Sequence, residues 1–178
     1  MIDDNPLRSG CRHAFFDGLV GLGDIALRET IATIRVFIEN EAGSATKHIY
    51  DEQTLEFVKS EEVARPYPYP YGFVLDTLGG DGDSVDCFVV TDRPMHSADI
   101  IDCIPVHLLE QIEDDEIDHK ILSVPTGSPA EIGENTLSGI RSFIESVFSH
   151  IPGKKMQLGS LHGAAEARRY IQSCSLLK

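Results

Sequence analysis

Short β-branched and aromatic runs alternate with turn residues from Ile31 to Pro125. The runs TIRVFIE, HIYD, LEFVK, CFVVT, DIIDCIPVHLL and HKILSVP each read as a strand, and EAGS, GGDGD and DRPMHSAD read as the turns between them. Short strands at this spacing predict a small barrel or sandwich. The pattern changes after Thr136. Leu137, Ile140, Ile144, Val147, Phe148 and Ile151 recur at helical spacing, which predicts a helix from Thr136 to Ile151 closed by Pro152-Gly153. A second helix is predicted from Ser160 to Leu176. The expected class is α+β, a β-barrel with about two C-terminal helices. Residues 1–30 are weakly patterned and read as an N-terminal extension of a single domain spanning 1–178.

Composition narrows the function classes. The chain has 178 residues, 42% hydrophobic and 25% charged, as an ordinary globular domain does. No apolar run approaches the roughly 18 residues of a membrane span, and MIDDNPLRSGCRHAFFDG lacks the basic and apolar regions of a signal peptide. Cys11, Cys87, Cys103 and Cys174 are widely spaced without a C-x-x-C, against a zinc knot or a disulfide scaffold. Cys87 and Cys103 fall in apolar runs and read as buried small hydrophobes. A reducing cytoplasm is the expected compartment. The net charge of −14 disfavours nucleic acid. It also disfavours an anionic substrate unless metal ions mediate the binding.

The stretch DGDSVD, Asp81 to Asp86, crowds three carboxylates directly before the apolar run CFVV. Unit charges about 4 Å apart repel by roughly 4 kcal/mol at an effective dielectric near 20. Either these acids spread into water as a solvated turn, or a cation sits among them. In a plain strand Asp81 and Asp83 share a face and Asp86 points away. Gly82 and Gly79-Gly80 permit a turn that gathers all three. An EF-hand is excluded, because Val85 and Asp86 stand where that loop needs an acid and a glycine. A haloacid-dehalogenase D-x-D is disfavoured, because the strand follows the acids instead of preceding them. Without His or Cys in the stretch, zinc is disfavoured. A carboxylate site for Mg²⁺ or Mn²⁺ fits.

A second acidic run, EDDEIDHK from Glu113 to Lys120, leads into the strand ILSVP. It reads either as an acidic hairpin loop or as a second wall of the same site. Asp118 and Lys120 share a face, and His119 points the other way. In ARPYPYPYGFV, Tyr67, Tyr69 and Tyr71 alternate with Pro66, Pro68 and Pro70, which hold the segment extended. The three tyrosines would then lie on one side, with at least one hydroxyl facing a cleft.

In this order, YPYPYG, DGDSVD and DHKILSVP resemble the signature of the family I soluble inorganic pyrophosphatases, as do RVFIE and Lys47 upstream. The resemblance spans roughly Ile31 to Leu176. It implies a five-stranded OB-like closed barrel and metal-dependent hydrolysis of pyrophosphate to two phosphates, with Mg²⁺ as cofactor and Mn²⁺ possible. Asp81, Asp86 and Asp118 would ligate metals, with Glu113 or Asp114 completing the second wall and Glu39 in the outer shell. Asp83 would orient and deprotonate the attacking water. Lys47, Lys59, Tyr71 and Lys120 would contact phosphate oxygens. The resemblance also implies a homo-oligomer, with pyrophosphate and phosphate as ligands and neither nucleic acid nor membrane as partner.

The chain departs from the family pattern at several positions. Ser84 replaces a proline or acid, which is expected to loosen the turn. Ile49 stands where the family often has an acid, and Lys59 where it has a phosphate-binding arginine, losing the bidentate fork. A gapless count sets Val147-Phe148 against the family's Tyr-Lys pair. Both fit the apolar helical stripe and are expected in the core, leaving Lys154 or Lys155 as substitutes. These departures keep open the alternative of a weak or non-catalytic metal- or phosphate-binding relative.

Overall fold

The computed structural model describes residues 33–177. The N-terminal extension and Cys11 lie outside the described residues. Five strands close into a barrel in the order β1 (Ile34–Asn40), β4 (Tyr71–Val74), β5 (Asp86–Val89), β8 (Lys120–Pro125) and β6 (Ile100–Glu113), with β6 returning to β1. All of these pairings are antiparallel except β5 with β8, which run parallel with Cys87 opposite Ile121. A separate hairpin, β2 (Thr46–Tyr50) and β3 (Phe57–Glu62), stands outside the barrel. The short β7 (Glu116–Ile117) and β9 (Met156–Gly163) both pair with β6. Helices α1 (Glu134–Ile144) and α2 (Ala164–Cys174) complete the described fold.

Two apolar clusters hold it together. All five barrel strands contribute to one, among them Val36, Val74, Cys87, Cys103 and Ile121, joined by Ala167 and Ile171 of α2. The opposite strand faces, including Phe88, Leu109 and Leu122, pack under Leu137, Ile140, Phe143 and Ile144 of α1. β8 is buried along its whole length, which explains a strand reading as nearly continuous apolar sequence. β6 reaches all its partners by bending. Its register slips beside Pro105, which has no N–H to give a ladder, and again between Leu109 and Gln111. At Gly72 a Cβ would stand 1.8 Å from the Phe37 carbonyl oxygen, so only glycine lets β4 lie against β1 there.

Three expectations need correction. The prolines of PYPYPY end at Pro70, and a strand, β4, starts at once, so this segment delivers a barrel strand. The first helix stops at Ile144 instead of Ile151. Beyond it the Ser146 hydroxyl donates to the Ser142 and Phe143 carbonyls, competing with the helical ladder, and tight turns follow. The predicted second helix begins only at Ala164. Met156 to Gly163 is instead a strand, admitted beside β6 by Gly159, where a Cβ would meet Glu110 at 2.6 Å. No described helix is long and apolar enough to cross a membrane.

Candidate active site

The parallel pair β5–β8 brings two strand starts to the same rim of the barrel. Asp86 begins β5 and Lys120 begins β8. Before Asp86, the turn is folded by its own backbone and by Thr77. The Gly79 N–H donates to the Asp83 carbonyl at 2.6 Å, Gly82 adopts φ +94°, and the Asp83 N–H donates to Asp81 Oδ1 at 3.2 Å. The Thr77 hydroxyl oxygen accepts the Val85 N–H at 3.0 Å. Ser84 ties the turn rather than loosening it. Its hydroxyl donates to the Thr77 carbonyl at 3.1 Å and its N–H donates to Glu52 Oε2 at 2.5 Å, a bond that proline cannot make.

The second acidic run is a hairpin. Glu113 pairs with Glu116, and the two loop residues Asp114 and Asp115 both take positive φ, the geometry of a tight two-residue turn. The run is therefore an acidic hairpin, and its Glu113, Asp114 and Asp118 line the same cleft as Asp81, Asp83 and Asp86.

That cleft has a volume of about 860 Å³. Eleven carboxylates line it against three lysines, Lys47, Lys120 and Lys154. Its floor is a chain of alternating acceptors and donors. Lys120 lies between Asp86 and Asp118, 2.6 Å from Asp118 Oδ1. The Gln111 amide donates to Asp118 Oδ2 at 2.8 Å and to Glu113 Oε2 at 3.3 Å. Lys154 then pairs with Glu113 and, at 3.1 Å, with Asp114 Oδ2.

Burial and charge set the protonation of these groups. Burial and then the nearby Asp86 push the Glu39 carboxyl up to about 8. Burial is the strongest single influence on Asp86 and would raise it, but Lys120, the Tyr71 hydroxyl and Lys47 together outweigh it and the net direction is down. Asp118 moves up, because burial and its acidic neighbours exceed what Lys120 returns. Lys120 itself is driven up, because Asp86 and Asp118 overcome its burial. Asp83 is raised by partial burial and by Asp81 and Asp86, the direction useful in a general base.

Of the residues expected at the site, Glu39, Lys47, Tyr71, Asp81, Asp83, Asp86, Glu113, Asp118 and Lys120 all line the cleft. Lys59 does not. It sits opposite Ile49 on the outer strand β3, 58% exposed and paired with Glu61 at 2.7 Å. Val147 is core, as its helical spacing implied, but Phe148 is only part-buried and reaches the cleft. The ammoniums of Lys47 and Lys154 lie 5.5 and 5.4 Å from the Phe148 ring centroid. Tyr67 and Tyr71 stack at 5.3 Å along the cleft, whereas Tyr69 turns away to Thr136 at 3.2 Å.

Among the lining residues that escaped the sequence reading, two shape the site. Glu52 lies in the β2–β3 loop, where nothing marks it. Gln111 carried a faint signal, a polar side chain on the face of β6 shared with Leu109.

No three acidic, His or Cys side chains among the described residues converge on one point. The donor set is nonetheless all oxygen in two facing walls, with a large excess of negative charge, and this suits hard divalent cations held across the cleft.

Comparison with known proteins agrees over most of the chain. The family described as inorganic pyrophosphatase matches residues 36–177. An inorganic pyrophosphatase of Halalkalibacterium halodurans is 30% identical over 151 residues, covering 79% of this chain and 92% of the relative. One from Nanoarchaeum equitans is 30% identical over 149 residues, covering 78% and 93%. Among solved structures, an inorganic phosphatase of Anaplasma phagocytophilum superposes with a TM-score of 0.76 at 26% identity, covering 82% of this chain and 93% of that one. The inorganic pyrophosphatase of Thermus thermophilus, with a TM-score of 0.75 and 22% identity over 82% of this chain and 91% of its own, shares the fold.

Proposed function

The chain belongs to the inorganic pyrophosphatase family, and from that premise we propose that it hydrolyses pyrophosphate with divalent cations held between its two carboxylate walls. The carrying observation is the surplus of eleven carboxylates over three lysines in one cleft. An anionic substrate would be repelled from such a cleft without cations. Asp81, Asp86, Glu113 and Asp118 would hold them, with Glu39 behind. Mg²⁺ is the expected ion, and Mn²⁺ is admissible. When bound, the cations supply charge neutralisation on the phosphate oxygens and lower the pKa of the attacking water.

The chain's own residues do the rest. Asp83 takes the proton of the water as its oxygen bonds to one phosphorus. The bond from that phosphorus to the bridging oxygen breaks, and the second phosphate departs with the bridging oxygen. Tyr71 and Lys120, beside Asp86, and Lys47, across the cleft, would hold phosphate oxygens in line. Lys154 would serve on the side where Phe148 replaces a polar pair. Lys59 is the weakest of the expected phosphate contacts, because it lies outside the cleft on the exposed strand β3. A homo-oligomeric, cytoplasmic, single-domain enzyme completes the proposal. No observation favours the non-catalytic alternative.

The test is phosphate release from pyrophosphate with and without Mg²⁺, alongside Asp83→Asn with its fold checked by circular dichroism. Mg²⁺-dependent release that the substitution lowers by about 10²–10⁴-fold is expected. No release with any divalent ion from folded protein would sink the proposal.

A further inference from the structure

Gln111 has no exposed surface, yet its side chain is polar and reaches the cleft floor. Its amide nitrogen lies 2.8 Å from Asp118 Oδ2 and 3.3 Å from Glu113 Oε2. Its main chain is gripped as well. The Gln111 carbonyl accepts the Asp118 N–H at 3.0 Å, and the Gln111 N–H donates to His119 Nδ1 at 3.1 Å. Asp118 is thus held to the same residue by backbone and by side chain.

The remaining atom, Oε1, is buried and has no partner among the described residues. Turning the amide over would aim that oxygen at two carboxylates, so their charge fixes the orientation. An orphaned buried oxygen is costly, and a side chain present only to fill space would be apolar. The polarity of Gln111 therefore serves the two hydrogens it offers. Its neutrality matters equally. Lys120 and Lys154 already pair with Asp118 Oδ1 and Glu113 Oε1, and the amide aligns the other oxygens of the same two carboxylates without adding further positive charge.

We propose that Gln111 is a positioning residue that sets the spacing and orientation of Glu113 and Asp118 for divalent-cation binding, an inference that rests on the metal-dependent reading of the site. It acts through the two carboxylates and touches neither cation nor substrate.

The test replaces Gln111 by Met in the full chain, which keeps length and removes the donors. Mn²⁺ binding is measured by calorimetry, with the melting temperature of metal-free protein as control. The metal-free variant should melt at or above the wild-type temperature, because the orphaned oxygen is gone. Its half-saturating Mn²⁺ should rise by about tenfold, the scale of outer-shell substitutions around metals. Unchanged Mn²⁺ affinity in the folded variant overturns the role of Gln111. If Gln111→Met does not fold, Gln111→Asn carries the same test, since it keeps an amide but withdraws its hydrogens toward the strand. The same rise is expected, and an unchanged value again overturns the role. Wild-type protein that binds no Mn²⁺ overturns instead the metal reading beneath it.

Discussion

The floor and the rim of the cleft supply carboxylates in opposite ways. On the floor, Asp86 starts β5 and Asp118 lies two residues before β8; both are largely buried and have Lys120 between them. On the rim, Asp81 and Asp83 are exposed and lie in a turn shaped by backbone hydrogen bonds, Gly82 and Glu52. The floor keeps its carboxylates paired because unpaired charge there would be expensive. Among the described residues the rim's carboxylates pair with no lysine, which leaves them open to react. A site that must both hold ions and move a proton divides the two tasks between them.

Substitutions can break this comparison from either side. The largest effect belongs to the rim and falls on rate alone. Asp83→Asn should remove about 10²–10⁴-fold of turnover while leaving the melting temperature unmoved, and a large loss of stability would show that Asp83 belongs with the floor. Lys120→Met should act first on folding. It strands two buried carboxylates and should cost about 3–5 kcal/mol in denaturant unfolding of metal-free protein, with added Mg²⁺ recovering part of the loss. A cost below about 1 kcal/mol would mean the floor is wetter than its geometry implies.

A smaller effect is a pH dependence of the metal-free protein. The Glu39 carboxyl is raised to about 8 by burial and Asp86. The folded state therefore holds a proton that the unfolded state releases near pH 4.5, and stability declines as pH rises from there through 8. Asp118 shifts in the same direction. The melting temperature should fall between pH 5 and pH 8 and flatten in saturating Mg²⁺, whereas a melting temperature that rises over this range would place an ionised Glu39 in the metal-free fold. The smallest effect is expected at Lys59→Ala, within about 0.5 kcal/mol in stability and less than about twofold in KM for pyrophosphate. A larger KM change would bring β3 into the substrate site.

The sequence revealed more of the rim than of the floor. DGDSVD declares itself because charge beside an apolar run is visible in one dimension, and the strands of the barrel follow from their β-branched residues. The floor is assembled by register. That Asp86 meets Lys120 depends on which strands run parallel, and that Gln111 lies between Asp118 and Glu113 depends on how the hairpin after β6 folds back. Glu52 acts through one hydrogen bond across 32 positions, which leaves no local trace. Prolines concealed β4, because a strand that starts directly after Pro70 looks like a continuation of the extended tyrosine segment. β9 was hidden because Met156, Leu158 and Leu161 suit either a helix or a strand until Gly159 is seen against Glu110. Ser84 was misread because a substitution toward a smaller residue suggests looseness, and only its two bonds show otherwise.

The parallel course of β5 and β8 also separates the chemistry from the chain's freedom to vary. Both strands begin at the cleft, so both end at the far side of the barrel. The connections leaving them, residues 90–99 and 126–133, begin at the end remote from every carboxylate of the floor. Added length there would not slip the pairing of Cys87 with Ile121. The first of them returns to the site, where the Ser97 hydroxyl donates to the Glu39 carbonyl at 2.8 Å, but the mostly exposed stretch 126–131 is the place to open the chain for circular permutation, or to graft a fluorescent reporter, with little expected effect on turnover.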